Sequence, residues 1–126
     1  MSSKRILVIY PEVENLRRYK MMVERHCGYD VDIAITGEEG VKLAERHQPD
    51  LIFVDTFLHP MRWPELLERI QSSEKLDNVP VVLSVATHLL REYIALPPEP
   101  IADYYIQRPP DWDDFQRSFT KIFGPD

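Results

Sequence analysis

The chain has a single cysteine, Cys27, so no internal disulfide is available to it. A lone cysteine beside Gly28, at the end of a helical stretch, reads as a small core residue. It fits a reducing, cytoplasmic setting. Long apolar runs are also missing: nothing approaches the roughly 18 residues that a membrane-spanning helix needs. The opening "MSSKRILVIY" has two basic residues before a short apolar run, but Pro11 and Glu12 break it and no small-residue cleavage site follows. It reads as a first strand and not as a signal peptide. Basic excess is absent too, with 15 Lys and Arg against 21 Asp and Glu and a net charge of -6. Nucleic acid and anionic membrane are therefore not expected as partners, since both need clustered cations. The one local basic cluster, "LRRYK", reads as a solvated helix face. Gly-x-Gly-x-x-Gly, Walker and Cys/His metal spacings do not occur, and neither do internal repeats, low-complexity tracts or linkers.

What remains is an ordinary globular composition, 44% hydrophobic and 29% charged over 126 residues, enough for one domain spanning 1-126 with its own core. Strand-like and helix-like segments alternate through it. "RILVIY" is an apolar run of strand length. "EVENLRRYKMMVERHCG" spaces Val13, Leu16, Lys20, Val23 and Cys27 by threes and fours and stops at Gly28. "DVDIAI" alternates as a strand. "TGEEGVKLAERH" opens with the capping-box pair Thr36 and Glu39. "LIFV" is a third strand ending at Asp55, and "PELLERIQSS" a helix with Pro64 in its first turn and Leu66, Leu67 and Ile70 inward. "VPVVLSVA" is a fourth strand, "THLLREYIAL" a shorter helix stopped by prolines, "ADYYIQ" a fifth strand, and "DWDDFQRSFTKIF" a last helix with Phe115, Phe119 and Ile122 in step.

Five strand-helix units in alternation predict an α/β fold, a doubly wound parallel sheet with helices on both faces. In such sheets ligands gather outside the carboxyl ends of the strands. Tyr10, Asp55, Val85 and Arg108 all fall at or just beyond those ends. Asp55 closes the stretch "PDLIFVDTFLHP", in which a buried-looking strand delivers one carboxylate to that edge.

With "KRILVIYPEVENLRR", "GEEGVKLAERHQPDLIFVDTFLHPMRWPELLERI", "VPVVLSVAT" and "IADYYIQRPPDW", the chain resembles the receiver domain of two-component response regulators over essentially its whole length. The resemblance implies a flavodoxin-like five-stranded sheet of order 2-1-3-4-5. It also implies phosphoryl transfer onto an aspartate at the end of the third strand, matched here by Asp55. That chemistry needs countercharge, which the family supplies with Mg²⁺ and a lysine. Several matching positions depart from the pattern. The acidic pair after the first strand is Tyr10 and Pro11, neither a carboxylate ligand for a hard cation, leaving Glu12 and Asp55 as a weak metal-binding set. Glu12 either swings in as a ligand or simply favours the helix N-terminus. The lysine is Arg108, a planar fork in place of a compact ammonium. The phosphoryl-sensing hydroxyl aligns with Val85. Ser84 and Thr87 reach that role only through a register shift or loop change, and Ser84 should point to the opposite face from Val85. The loop proline aligns with His59, with Pro60 displaced by one, and the loop glycine aligns with Trp63. The switch aromatic is kept as Tyr105.

These departures predict an atypical receiver that keeps the fold as a protein-interaction module, with impaired or no Mg²⁺-dependent phosphorylation and no cofactor other than Mg²⁺ at a degraded site. Asp55 is then held by Arg108 in a charge-assisted contact open to bidentate geometry. A conventional phosphoaccepting regulator using Asp55 is the alternative. A flavodoxin-like cofactor-binding enzyme is remote, because "YPEVEN" is acidic and glycine-free where a phosphate cradle belongs. The expected partners are a histidine kinase or downstream effector, with homodimerisation through the fourth helix, fifth strand and fifth helix. Tyr104, Tyr105, Trp112, Phe115 and Phe119 lie near that segment, and Trp112 is the better interface candidate. No enzymatic activity and no output domain are expected, and "LPPEP" should alter the surface by shortening the fourth helix.

Overall fold

The computed structural model describes residues 3–94 and 102–125. Strands β1 (Arg5–Ile9), β2 (Asp30–Ala34), β3 (Leu51–Asp55), β4 (Val81–Ala86) and β5 (Tyr104–Arg108) alternate with helices α1 (Val13–Cys27), α2 (Gly37–His47), α3 (Trp63–Ser72), α4 (Leu90–Ile94) and α5 (Trp112–Phe123). A 3₁₀ turn at Thr87–Leu89 precedes α4. The sheet is parallel throughout and ordered β2-β1-β3-β4-β5, the doubly wound arrangement expected from the strand-helix alternation. "LPPEP", expected to shorten the fourth helix, lies outside the described residues. No helix among the described residues is long and apolar enough to cross a membrane.

Strand side chains alternate in direction, so the central strands must be apolar on both faces if both are covered. Ile6, Val8, Leu51, Phe53, Val82 and Ile106 pack against α1 and α5 through Leu16, Tyr19, Val23, Phe115 and Phe119. Leu7, Ile9, Ile52, Val54, Leu83 and Val85 pack on the other side against Val41 and Ala44 of α2 and Leu66, Leu67 and Ile70 of α3. Tyr19 joins Tyr10 and Phe115 in ring contacts at 5.3 and 5.2 Å.

The helix ends follow local chemistry. Gly28 takes a left-handed φ of 71° to stop α1. Thr36 Oγ1 accepts from the Glu39 backbone N–H at 3.2 Å, but Glu39 reaches back to the Ile35 N–H, so the box is displaced by one residue. A complete capping box stands instead at α5, where Asp111 and Asp114 accept from each other's backbone N–H at 3.0 and 2.9 Å. The α1 stripe also differs from its sequence reading. Tyr19 is buried with Leu16 and Val23, while Val13 at the helix start is exposed.

Candidate functional site at the carboxyl edge

Parallel register sets Asp55 beside Ser84, Ser84 beside Ile106 and Ala86 beside Arg108. Ile106 faces α1 and α5, so alternation directs Ser84, Asp55, Arg108 and Tyr10 toward the same side. Asp55 is 0% exposed, at the end of a strand buried along its whole length. Arg108 Nε donates to Asp55 Oδ1 at 2.8 Å and Oδ2 at 2.9 Å, while Nη2 donates to Glu12 Oε2 at 2.8 Å. The guanidinium therefore does not form a two-nitrogen fork on Asp55; it is divided between two carboxylates 43 residues apart in sequence. Its outer face is closed by Phe57, whose ring centroid lies 3.9 Å from the guanidinium carbon. A cation set over a ring face at this distance is attracted by the ring quadrupole.

Burial pushes the Asp55 carboxyl up to about 6 despite the opposing pull of Arg108. Partial burial works against the charge on Arg108, but Asp55 and then Glu12 outweigh it and raise its pKa. The group is thus one cation between two acids, in a setting that strongly penalises the innermost acid.

Tyr10 fills the space after β1. It is fully buried, and desolvation holds its phenol well above the ordinary value, so it is neutral. Ser84 acts on it in the opposite sense, but the two hydroxyls do not meet in hydrogen-bond geometry: Tyr10 Oη has no hydrogen-bond partner among the described residues, and Ser84 Oγ donates to the Gln107 carbonyl at 2.9 Å. Of the candidate switch positions, Ser84 and not Val85 shares the Asp55 face. Val85 is buried in the opposite layer with Tyr105, whose hydroxyl accepts from the Ala102 N–H at 3.1 Å. Thr87 opens the 3₁₀ turn and is exposed. His59 is exposed in the β3–α3 loop, and Trp63 packs onto the core at the start of α3. Trp112 is half-buried, stacked on His26 at 4.3 Å, and Cys27 is a partly buried free thiol packed against the α1–α5 core.

A hard divalent cation takes six or more oxygen ligands, carboxylates chief among them. This edge offers Asp55 and Glu12, both already hydrogen-bonded to a guanidinium, then a neutral buried phenol and a proline. Among the described residues no three His, Cys, Asp or Glu side chains come together in a metal-binding group. The donor set does not fit Mg²⁺, and a fixed positive charge already stands beside Asp55. Glu12 and Phe57 are the partners of Arg108 that sequence reading misses. The signal for Glu12 was its place as the first acid after β1; nothing local marks Phe57.

The doubly wound sheet, with an acid at the end of its third strand and a cation at the end of its fifth, has counterparts among known proteins. No family model matches the chain. Over 80 residues it is 35% identical to protein Rrf1 of Nitratidesulfovibrio vulgaris, covering 63% of this chain and 56% of that protein. Over 84 residues it is 26% identical to the polar-differentiation response regulator DivK of Brucella ovis, covering 67% and 68%. The chain thus spans little more than half the length of Rrf1, and only 32% of the probable transcriptional regulator ycf29 of Porphyra purpurea, at 34% identity over 53% of the chain. Among solved structures, a putative response regulator from Chloroflexus aurantiacus superposes with a TM-score of 0.81 at 20% identity, over 97% of this chain and 99% of that one. The receiver domain of a sensor histidine kinase from Pseudomonas aeruginosa, with magnesium coordinated in its active-site cleft, does so at 0.81 and 22%, over 98% and 100%. In sequence the chain is similar to response regulators, and its fold is that of their receiver domains.

Proposed function

We propose that this receiver works as a protein-interaction module without Mg²⁺-dependent phosphorylation, its signalling edge held in one state by the Arg108–Asp55 pair. The observation that carries the reading is the full engagement of Asp55: both oxygens accept from one Arg108 nitrogen while the residue is 0% exposed. An aspartate that accepts a phosphoryl group must present an oxygen in line with the leaving group, with countercharge on the transferring oxygens. Here that oxygen is committed, and the countercharge is already neutralised by Asp55 and Glu12. Arg108, stacked under Phe57, does permanently what a metal and a lysine do for the duration of transfer.

The module acts by binding, with no catalytic residue and no cofactor. Its partners are a histidine kinase or a downstream effector in the cytoplasm, and α4, β5 and α5 offer a face for a second copy. The test is to treat the protein with acetyl phosphate, and separately with beryllium fluoride, with and without Mg²⁺, while following intact mass and backbone amide shifts. The expected result is no adduct and no Mg²⁺-dependent shift change. A Mg²⁺-dependent adduct that vanishes in Asp55→Asn would restore the phosphoacceptor reading.

A further inference from the structure

Beside the Arg108 clamp, between the β3–α3 loop and the end of β4, lies an open groove of about 390 Å³. Its walls are apolar: Leu58 and Val85 are buried, Trp63 and Leu89 half-buried, and Phe57 stands 55% exposed at the rim. Phe57 is nevertheless held in place, since its ring lies on the Arg108 guanidinium at 3.9 Å. An aromatic that is exposed but already ordered loses little freedom when a partner covers it, and Trp and Arg are the residues in which interface energy concentrates.

The charge in the groove has one sign. Arg62 lines it with His59 beside, and no acid does among the described residues; Glu65, the next acid along α3, lines a different depression with Glu38 and Met61. Arg62 has no ion-pair partner among the described residues. It is also the N-cap of α3, where it makes no capping hydrogen bond and sets a cation against the positive end of the helix dipole. Asp, Ser, Thr or Asn would serve the helix better there. A residue that breaks a local rule in a chain of net charge -6 is kept for something outside the helix.

We propose that this groove docks an acidic peptide segment of a partner protein, one carrying a carboxylate next to an aromatic or leucine side chain. The carboxylate meets Arg62, and the apolar anchor enters between Phe57, Trp63 and Leu89. This rests on the interaction-module reading and gives it a place at the carboxyl edge, bordering the start of α4 and apart from β5 and α5.

The test is to pan a random 12-residue display library on the full chain and measure the Kd of the enriched peptides by fluorescence polarisation. Wild type, Arg62→Glu, Arg62→Lys and Lys121→Glu are compared, the last reversing a charge on α5. Arg62→Glu puts an acid at a helix N-terminus, which suits the fold, so lost binding is not lost structure. The enriched peptides should pair Asp or Glu with Phe, Trp or Leu. Arg62→Glu should weaken them roughly tenfold or more, the effect of one ion pair turned repulsive. Arg62→Lys should retain most of the affinity and Lys121→Glu all of it. The Trp63 indole N–H should move on peptide addition. The proposal is overturned by a library that yields no binder, by peptides without acids, by a Kd indifferent to Arg62→Glu, or by binding lost only in Lys121→Glu. Concentration-dependent dimerisation abolished by Arg62→Glu also overturns it, since a second copy would then be the occupant. Each of these leaves the module reading standing; that reading fails separately, on a Mg²⁺-dependent acetyl phosphate adduct at Asp55.

Discussion

The two edges of the sheet each carry an arginine between two carboxylates, in opposite surroundings. At the amino edge Arg5 stands 3.8 Å from Asp30 and 3.6 Å from Asp32, with the arginine and Asp30 side chains 38% and 65% exposed. At the carboxyl edge Arg108 is 2.8 Å from both Glu12 and Asp55, at 19% exposure for the arginine and 0% for Asp55. Water does most of the work for the first group, so either partner can be lost with little consequence. Asp55 has no water to fall back on. A buried pair gains little over an apolar replacement of both partners, yet removing one of them leaves an orphan charge. Burial, and not the presence of a salt bridge, makes the carboxyl edge a fixed structural feature.

Substitution at Arg108 is the strongest way to break the comparison. Arg108→Met should cost about 3 to 5 kcal/mol at pH 8 by chemical denaturation, the range for orphaning a buried charge. The cost should shrink at pH 5, where the carboxyl is protonated. A difference below about 1 kcal/mol would show Asp55 to be better solvated than its burial implies.

The wild-type pH dependence comes next. A carboxyl pushed from its ordinary value of 3.8 up to about 6 binds its proton more tightly in the folded state. Its contribution to stability is therefore present below the unfolded value and lost as pH rises from about 4 through about 6, a loss of roughly 3 kcal/mol. In Asp55→Asn this slope should disappear. The variant should be nearly as stable as wild type at pH 8, because Arg108 keeps Glu12 and some water while the costly buried charge is gone. Removing the cation and removing the acid are thus expected to be sharply unequal.

Phe57→Ala removes only the ring over the guanidinium and should cost roughly 0.5 to 1 kcal/mol. Arg5→Ala, the matched substitution at the amino edge, should fall within about 1 kcal/mol and leave the pH profile between 4 and 6 untouched.

The strand order could be read from the chain because apolar runs of strand length alternate with 3.6-residue periodicity, and right-handed parallel units leave few arrangements. That order also brings Asp55 and Arg108 to one edge. What could not be read depends on distance across the fold. The capture of Arg108 Nη2 by Glu12 spans 96 residues, and the stacking of Phe57 depends on the path of an irregular loop. Ser84 and Val85 differ by one position, and only the final register decides which shares the Asp55 face. Tyr19, and not Val13, enters the core, where its ring meets Tyr10 and Phe115, contacts that spacing along α1 does not reveal. The Asp111–Asp114 box was within reach of local reading: an acid at the N-cap with another three residues on has the form of the Thr36–Glu39 pair, but carboxylates at both positions look like simple surface charge.

The direct test of a permanently held Asp55 is the Arg108 Nε–H resonance, followed by ¹H–¹⁵N NMR through a Mg²⁺ titration near pH 7.5. A proton donated to both oxygens of a buried carboxylate should be shifted downfield, exchange slowly with water and stay in place as Mg²⁺ is added. If Mg²⁺ moves the resonance and speeds its exchange, the guanidinium gives way to the ion, and the site is a working metal centre after all.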